Sequence, residues 1–259
     1  MVILVSLAIL AAPLFEMTPA DVDACLARLD TCHYASRVAS LARAAIGTPY
    51  AGDPLGEGPG APVDAGPLMD LSKVDCVTFV EQVLALAAAT SYKDAFDTLQ
   101  KIRYRDGKIA FENRNHFMEA DWVVNNAFCK DATGSLGVPT EKATRTIGRR
   151  HFYTLKKLEA FAATANDREM TLEYVPVASA AAAEPKFPSP ALILLIGKAD
   201  WLFTLHCGLF IRDDSGAGLF YHASSKQEKV AAVPFPDIFK DTTRYIGFTA
   251  YQITSPKCR

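Results

Sequence analysis

The chain has no excess of positive charge and no zinc-finger spacing of cysteines. Its 259 residues include 27 Lys and Arg against 29 Asp and Glu, a formal net charge of −2, and its pI is about 6.2. The basic residues form short clusters without interleaved aromatic residues, which argues against a nucleic-acid-binding protein. The six cysteines include no C-x-x-C pair, so no structural zinc site is expected. No internal repeat is visible.

The sequence also has no apolar run long enough to cross a bilayer. Residues 1–13 are almost entirely apolar and end in Ala-Ala-Pro, but a membrane span needs about 20 apolar residues. The run resembles the core of a secretory signal, although it lacks the Lys or Arg that usually precedes one. We therefore expect residues 1–16 to be a signal or another apolar N-terminal segment, with a short buried helix as the alternative. The protein is expected to be periplasmic or secreted.

The most informative stretch is V-D-C-V-T-F-V-E at residues 74–81. From Cys76 onward, apolar residues recur at helical spacing and predict an amphipathic helix that begins at this cysteine. Asp75 is the predicted N-cap, with a carboxylate that accepts the free amide of Thr78. A thiol at this position lies at the positive end of the helix dipole, which favours the thiolate. The alternative is a buried cysteine of the core.

Two histidines lie on a predicted β-hairpin more than a hundred residues downstream. Residues 203–211 and 219–223 form two apolar runs joined by an Asp/Ser/Gly-rich turn. Antiparallel pairing of these strands brings His206 and His222 together. Because side chains alternate between the faces of a strand, Cys207 is expected to point away from His206 and to serve in packing.

Cysteine and histidine together suit nucleophilic catalysis. A thiolate attacks, one imidazole takes and returns the proton, and a further polar group orients that imidazole through its other ring nitrogen. Cys76, His206 and His222 supply these three types. The alternative use of the same three side chains is to bind a metal ion, which we do not expect, and no cofactor is predicted.

Four further cysteines are compatible with export. If Cys76 stays reduced and Cys207 lies in the core, three disulfide pairings remain open among the others, which are Cys25, Cys32, Cys129 and Cys258.

The motifs together resemble those of the NlpC-type papain-like cell-wall peptidases. The resemblance rests on G-T-P-Y-A-G at residues 47–52, D-C at 75–76, H-C-G-L-F at 206–210 and H-A at 222–223. A closer resemblance is to the N-acetylmuramoyl-L-alanine amidase-like subgroup, which shares D-C-V-T-F-V-E at 75–81. It also shares R-Y-R-D-G at 103–107, R-N-H-F at 114–117, D-W at 121–122 and H-A-S-S at 222–225. The joint order of these motifs over residues 35–255 is specific, although each alone is weak.

The resemblance implies a role for each matching residue. Cys76 is the nucleophile, His206 the base and His222 the orienting group. Tyr50 and Asp75 line the substrate pocket, and Asp75 binds a free amino group of the substrate or acts only as the cap. His116 lies in a subgroup motif and is a candidate substrate-binding residue.

The order of the elements predicts an α+β fold. Helices precede strands, and the nucleophile helix should pack on an antiparallel sheet, as in a papain-like cysteine hydrolase. Half of the residues are hydrophobic, so one large core is expected. We expect a single catalytic domain over residues 17–259 with an inserted lobe at about 108–190.

The resemblance predicts a peptidoglycan or muropeptide substrate. The expected reaction is hydrolysis of the amide between N-acetylmuramic acid and L-alanine. Cleavage after D-glutamate, as by an NlpC-type endopeptidase, is the first alternative. A cysteine acyltransferase and a non-catalytic cell-wall binding module are the others.

Overall fold

The computed structural model describes residues 12–29, 33–213, 215–240 and 243–257. Residues 1–11 of the apolar N-terminal segment lie outside the described residues, as do Cys32 and Cys258. A short 3-10 turn, Leu14–Glu16, begins the described part and buries Leu14 in the main core.

The first half of the chain is helical. The helices in this half are α1 (Pro19–Arg28), α2 (Tyr34–Ala44), α3 (Cys76–Ala88), α4 (Tyr92–Arg103) and α5 (Val123–Asn125), the last preceded by a π-helical turn, Met118–Trp122. Their starts follow local chemistry: Thr18 and Asp21 form a capping box around Pro19, and Ser91 accepts the amide of Asp94. The later helices are α6 (Arg149–Leu155), α7 (Glu159–Thr164) and α8 (Ala180–Ala183).

The described strands form one antiparallel sheet. Its members are β1 (Cys129–Asp131), β2 (Glu141–Ile147), β3 (Arg168–Pro176), β4 (Ala191–Gly197), β5 (Thr204–Arg212), β6 (Gly218–Ser224), β7 (Lys229–Pro234) and β8 (Tyr245–Ile253). The order across the sheet is β2-β3-β8-β4-β5-β6-β7, and β1 also pairs with β8. The expected α+β architecture with an antiparallel sheet is confirmed.

Helix α3 packs directly on the sheet, where it contacts β5 and β6. Residues from Thr78 to Ala87 are buried all round the helix, which explains its nearly continuous apolar sequence. The other face of the sheet is covered by a second core of interlocked aromatic rings, including Phe187, Phe210, Phe220, Phe235 and Phe248. Both faces of the central strands are therefore packed against a core.

The segment expected to form an inserted lobe divides between two places. Strand β2 pairs along its whole length with β3, whose last two residues pair with β8, so both strands extend the main sheet beyond β8. Helices α6 and α7 instead enclose a small core of Phe111, Tyr153 and Ala162. This small core forms one wall of a cavity beside α3.

Cys25 and Cys129 are buried free thiols, so they do not pair with each other. Within the described residues, no helix combines the length and apolar character that a bilayer span requires.

Candidate active site

Cys76 is the first residue of α3, as predicted. The Asp75 carboxylate accepts the Thr78 amide at 2.8 Å, and the Thr78 hydroxyl accepts the Asp75 amide at 2.9 Å. This capping box fixes the direction in which the chain enters the helix. The predicted helix start and the predicted N-cap are therefore confirmed, and the Cys76 side chain is half-buried.

The predicted hairpin is confirmed and brings the two histidines into contact. Strands β5 and β6 pair from Leu209 opposite Tyr221 to Arg212 opposite Gly218. Nε2 of His206 and Nδ1 of His222 share a hydrogen bond of 2.8 Å. A Cβ atom at Gly208 would lie 2.4 Å from the Tyr221 carbonyl oxygen, so this close approach of the two strands requires glycine.

Cys76 has two neighbours on β5 that act on its sulfur. The Cys207 thiol and the His206 imidazole both lie close enough to stabilise its ionised form. These contacts, with the charge of the imidazole, hold the pKa of Cys76 well below the usual range of a thiol, although burial acts in the opposite direction. A sulfur in this environment favours the thiolate.

Cys207 is fully buried, as expected for a packing residue, but it also touches Cys76. Its thiol donates to the backbone carbonyl oxygen of Cys76 at 3.3 Å. The strand alternation is as predicted, because Cys207 lies in the core shared with α3 and Phe210 in the aromatic core. The contact was missed because the hairpin alone does not show that α3 covers the face on which Cys207 lies.

His222 is buried and electrically neutral near physiological pH. Burial and the nearby His206 lower its pKa to about 3. Its ring stacks on Phe220, with centroids 5.2 Å apart and planes inclined by 25°. A neutral imidazole held in this way can accept a hydrogen bond from the Nε2–H group of His206 and so fix the orientation of that ring.

Tyr50 lies beside the nucleophile in a short segment, residues 47–51, which we call the strap. The Val74 amide donates to the Pro49 carbonyl, and the Tyr50 amide donates to the Glu228 carbonyl, both at 2.9 Å. The strap therefore ties the segment before Cys76 to the start of β7. Burial, followed by the charge of Cys76, raises the pKa of the Tyr50 phenol.

The helix-side cavity, of about 320 Å³, lies along α3 beside Asp75 and Val77. Both signs of charge line it: Asp53, Asp64, Asp75 and Glu81 on one hand, and Arg103, Arg114 and Lys156 on the other. Burial and the charge of Cys76 raise the pKa of Asp75 to about 6. The cavity can therefore bind a polar, ionised group.

Beneath this cavity, buried charges are paired. Glu81 accepts the Trp122 indole N–H at 2.9 Å and lies 3.5 Å from Arg103 Nε, and burial raises its pKa to about 7. Arg114 donates to Glu57 at 2.6 Å and to Asp64 at 2.8 Å. These pairs hold the cavity wall in a fixed arrangement.

His116 lies on the wall of the helix-side cavity, away from the cysteine sulfur. Its Nε2 hydrogen-bonds the Phe111 carbonyl at 2.9 Å, and its ring lies between Phe111 and Phe152, with centroids at 4.6 and 5.0 Å. Burial and the charge of Arg114 lower its pKa to about 3.

The hairpin-side cavity, of about 350 Å³, lies next to the two histidines. Its lining includes Ser224 and Ser225 from the H-A-S-S motif, together with Arg244 and Tyr245. The pKa of the Tyr245 phenol is raised by burial and, more weakly, by the charge of Cys76. Sequence analysis did not select Arg244 or Tyr245, because no motif marks them.

No metal site accompanies this arrangement: across the described residues, no three His, Cys, Asp or Glu side chains are grouped to hold an ion.

Comparison with known protein families identifies the chain. The model of the AmiA-like family, described as N-acetylmuramoyl-L-alanine amidase-like, matches residues 37–246. The chain belongs to this family. The match contains Cys76, His206 and His222 together with both cavities. Membership supports, at a coarse level, an amidase that acts on peptidoglycan.

Solved structures show the same fold in other proteins. A protein from Legionella pneumophila str. Philadelphia 1 has a TM-score of 0.81 at 24% identity, covering 91% of this chain and 94% of that chain. An N-acetylmuramoyl-L-alanine amidase from Bacteroides uniformis has a TM-score of 0.70 at 27% identity, covering 85% and 99%. A putative xylanase from Bacteroides fragilis has a TM-score of 0.66 at 24% identity, covering 82% and 99%. No curated protein is significantly similar in sequence.

In this member of the amidase-like family, the predicted residues fall into two groups. Cys76, His206 and His222 form one group: the two imidazoles share a hydrogen bond, and His206 acts on the Cys76 thiol. Asp75 and His116 line the helix-side cavity, and Tyr50 is close enough to Cys76 for their charges to interact.

Proposed function

We propose that this amidase-like protein is a papain-like cysteine hydrolase of the NlpC type that acts on peptidoglycan or muropeptides. The observation that carries the proposal is the hydrogen-bonded pair of His206 and His222 beside Cys76, whose thiol lies at the start of α3 and has a lowered pKa. Each of the three side chains has the chemistry that its position requires. The order of the three along the chain is also that of papain-like enzymes.

In the proposed mechanism, the Cys76 thiolate attacks the amide carbonyl carbon and forms a tetrahedral intermediate. His206 in its protonated form then gives its proton to the leaving nitrogen, and the C–N bond breaks to leave a thioester. Water, deprotonated by His206, attacks the thioester and releases the acid with regeneration of the thiolate. Backbone N–H groups at the start of α3 would stabilise the oxyanion, since they point toward the same end of the helix.

His222 would act on the reaction through His206. Its Nδ1 holds Nε2 of His206, which leaves the other nitrogen of His206 for the Cys76 sulfur. Because the pKa of His222 is only about 3, His222 stays neutral while His206 carries the proton.

The proposed bond joins N-acetylmuramic acid to L-alanine. The family description supports this choice, as does the relative from Bacteroides uniformis, which is an N-acetylmuramoyl-L-alanine amidase. The charged lining of the helix-side cavity favours hydrolysis over lipid acyl transfer, which would need an apolar entrance. The lowered pKa of Cys76 and the paired imidazoles beside it disfavour a non-catalytic binding module.

A D-glutamyl endopeptidase is the second candidate, and the position of Asp75 favours it. This carboxyl lines the helix-side cavity, and unlike Asp53 and Asp64, which pair with Lys156 and Arg114, it has no cationic partner among the described residues and could bind the free amino group of an L-alanine residue. In the amidase, by contrast, that nitrogen belongs to the scissile bond and Asp75 serves as the cap.

The test compares two defined substrates: a stem peptide linked to N-acetylmuramic acid, and the same stem peptide with a free L-alanine amino group. The products are identified by mass, with the Cys76→Ala variant as the blank. We expect release of the intact stem peptide from the sugar-linked substrate. A strong preference for the sugar-free peptide, with cleavage after D-glutamate, would overturn the amidase assignment.

We also propose that the protein acts in the periplasm or outside the cell. The apolar run at residues 1–13 and the nature of the proposed substrate support this location. Fusing residues 1–16 to a reporter that is active only after export tests it, and a reporter that stays inactive would contradict it.

A further inference from the structure

The buried thiol beneath the nucleophile has no role in the mechanism so far. Cys207 follows His206 on β5, and its sulfur lies 3.3 Å from the carbonyl oxygen of Cys76. Its side chain is completely shielded from solvent in the core that α3 shares with the sheet. Two consecutive residues of one strand therefore contact the same cysteine, one through an imidazole and the other through a thiol.

In the structure this thiol donates its single proton to the Cys76 carbonyl oxygen. The sulfur of the same residue is the other acceptor nearby, and its charge acts on Cys207. A neutral thiol is a weak donor, but hydrogen bonds to an ionised acceptor are roughly twice as strong as neutral ones. Once Cys76 is ionised, its sulfur is therefore the acceptor that gains most from the proton.

We propose that Cys207 is a positioning residue: its buried S–H group holds the Cys76 backbone in place and donates to the Cys76 thiolate, which keeps the nucleophile ionised. The inference rests on the proposed function, since it concerns the same nucleophile. Under this proposal, Cys207 stabilises the ionised nucleophile in addition to packing in the core.

The electrostatic properties of the two thiols agree with this division of roles. The hydrogen bond from Cys207 is the largest cause of the low pKa of Cys76, ahead of His206. The same hydrogen bond and burial raise the pKa of Cys207 well above its usual range. Cys207 therefore keeps its proton over the pH range in which Cys76 has lost its own.

Other titratable groups face Cys76 from the elements around it, and some oppose its ionisation. Burial and, after it, the negative charge of Cys76 raise the pKa of Asp75, so the two negative charges disfavour each other. A donor is needed to offset this repulsion. The remaining groups near Cys76 or its neighbours are His206 on β5, Tyr50 and Asp53 in the strap and its loop, Glu81 on α3, Tyr245 on β8 and Arg244 just before it.

The experiment measures how fast iodoacetamide alkylates Cys76 between pH 5 and 9, with mass mapping of the labelled residue. The variants are Cys207→Ala, which removes the donor, and Cys207→Ser, which keeps one. Cys129→Ala is the matched control, since Cys129 is also a buried free thiol but lies on β1 and its pKa is raised by burial alone. Melting temperatures of all variants report on packing.

We expect Cys207→Ala to slow alkylation at pH 7 about tenfold, the size expected for losing one hydrogen bond to an anion. The alkylation profile should move to higher pH. Cys207→Ser should stay close to the wild-type profile, and Cys129→Ala should leave it unchanged.

A wild-type alkylation profile in Cys207→Ala, with only a lower melting temperature, would overturn the proposal and leave Cys207 as a packing residue. If Cys207→Ala does not fold, the serine variant decides: a roughly tenfold slower alkylation there would also overturn it. The measurement uses no substrate, so a protein that fails to cleave the sugar-linked peptide but shows the expected shift would reject only the amidase assignment.

Discussion

The hairpin and the wall of the helix-side cavity each hold a buried imidazole with nearly the same electrostatics. The pKa of His222 and the pKa of His116 are both lowered to about 3, chiefly by burial. Both rings also pack against aromatic side chains. Their hydrogen-bonding partners differ: His222 meets Nε2 of His206, whereas His116 meets a backbone carbonyl. A low histidine pKa therefore does not identify a catalytic centre. The group to which the imidazole is hydrogen-bonded is what distinguishes the two sites.

The two regions also differ in how they use charge. Around the hairpin, contacts converge on the sulfur of Cys76. Around His116, the nearby Arg114 is paired with Glu57 and Asp64, so its charge fixes the cavity wall. We expect changes on the hairpin to alter kcat, and changes on the cavity wall to alter KM or stability.

The largest effect is expected from the residues that react. Cys76→Ala removes the proposed nucleophile and His206→Ala the proposed base, so each should lower kcat by about 10⁴-fold or more without a large change in melting temperature. Hydrolysis of muropeptides and thermal unfolding, measured on the same preparations, check this. Activity of Cys76→Ala at the wild-type level would remove the functional distinction between the two regions.

On the cavity wall, the largest effect should be on stability. Arg114→Met leaves the carboxylates of Glu57 and Asp64 without their cation, and breaking a largely buried ion pair typically costs about 3 kcal/mol of unfolding free energy. Denaturant unfolding at pH 7 measures the loss. An Arg114→Met protein as stable as the wild type would show that the wall is not held by these pairs.

The same substitution, histidine to glutamine, distinguishes the roles of His222 and His116. His222→Gln keeps a polar group but loses the imidazole geometry, so kcat should fall about tenfold with little change in KM. His116→Gln can still donate to the Phe111 carbonyl, so kcat should change less than about threefold while KM rises. Steady-state kinetics on one muropeptide separates the two. Equal losses of kcat would mean that His116 also acts on the reaction.

The smallest effect is on the acid sensitivity of folding. Both histidines have a folded-state pKa of about 3 against the ordinary histidine value of 6.5, so the unfolded chain binds more protons between these pH values. Their contribution to stability is therefore full above pH 6.5 and is lost as the pH falls toward 3. In each glutamine variant, the drop in melting temperature from pH 7 to pH 5 should be smaller than in the wild type. An unchanged drop in both would show that these imidazoles are protonated as easily in the folded as in the unfolded protein.

Local sequence predicted the parts of the site that depend on neighbouring residues. The helix start at Cys76 with its Asp75 cap follows from short-range chemistry, because an N-cap bonds only three residues ahead. The hairpin follows from two apolar runs joined by a polar turn, and its alternation placed His206 and Cys207 on opposite faces.

Other features depend on how distant elements pack. Sequence analysis assigned residues 108–190 to a lobe, whereas β2 and β3 add to the edge of the main sheet through β8. No local pattern specifies which strand pairs with which edge, since pairing depends on the arrangement of the whole sheet. The charged wall of the helix-side cavity also could not be predicted from local sequence, because Arg114 and Glu57 are 57 residues apart.

Local sequence is enough to predict the two halves of the site: a thiol at a helix start, and two histidines on one hairpin. That they meet depends on long-range packing: α3 lies on the face of β5 that carries Cys207, so that one strand reaches Cys76 with both an imidazole and a thiol. These features differ in the sequence distance over which they act. Caps and strand alternation act within a few residues, whereas the contact between Cys76 and Cys207 joins groups 131 residues apart and forms only when the hydrophobic core closes between them.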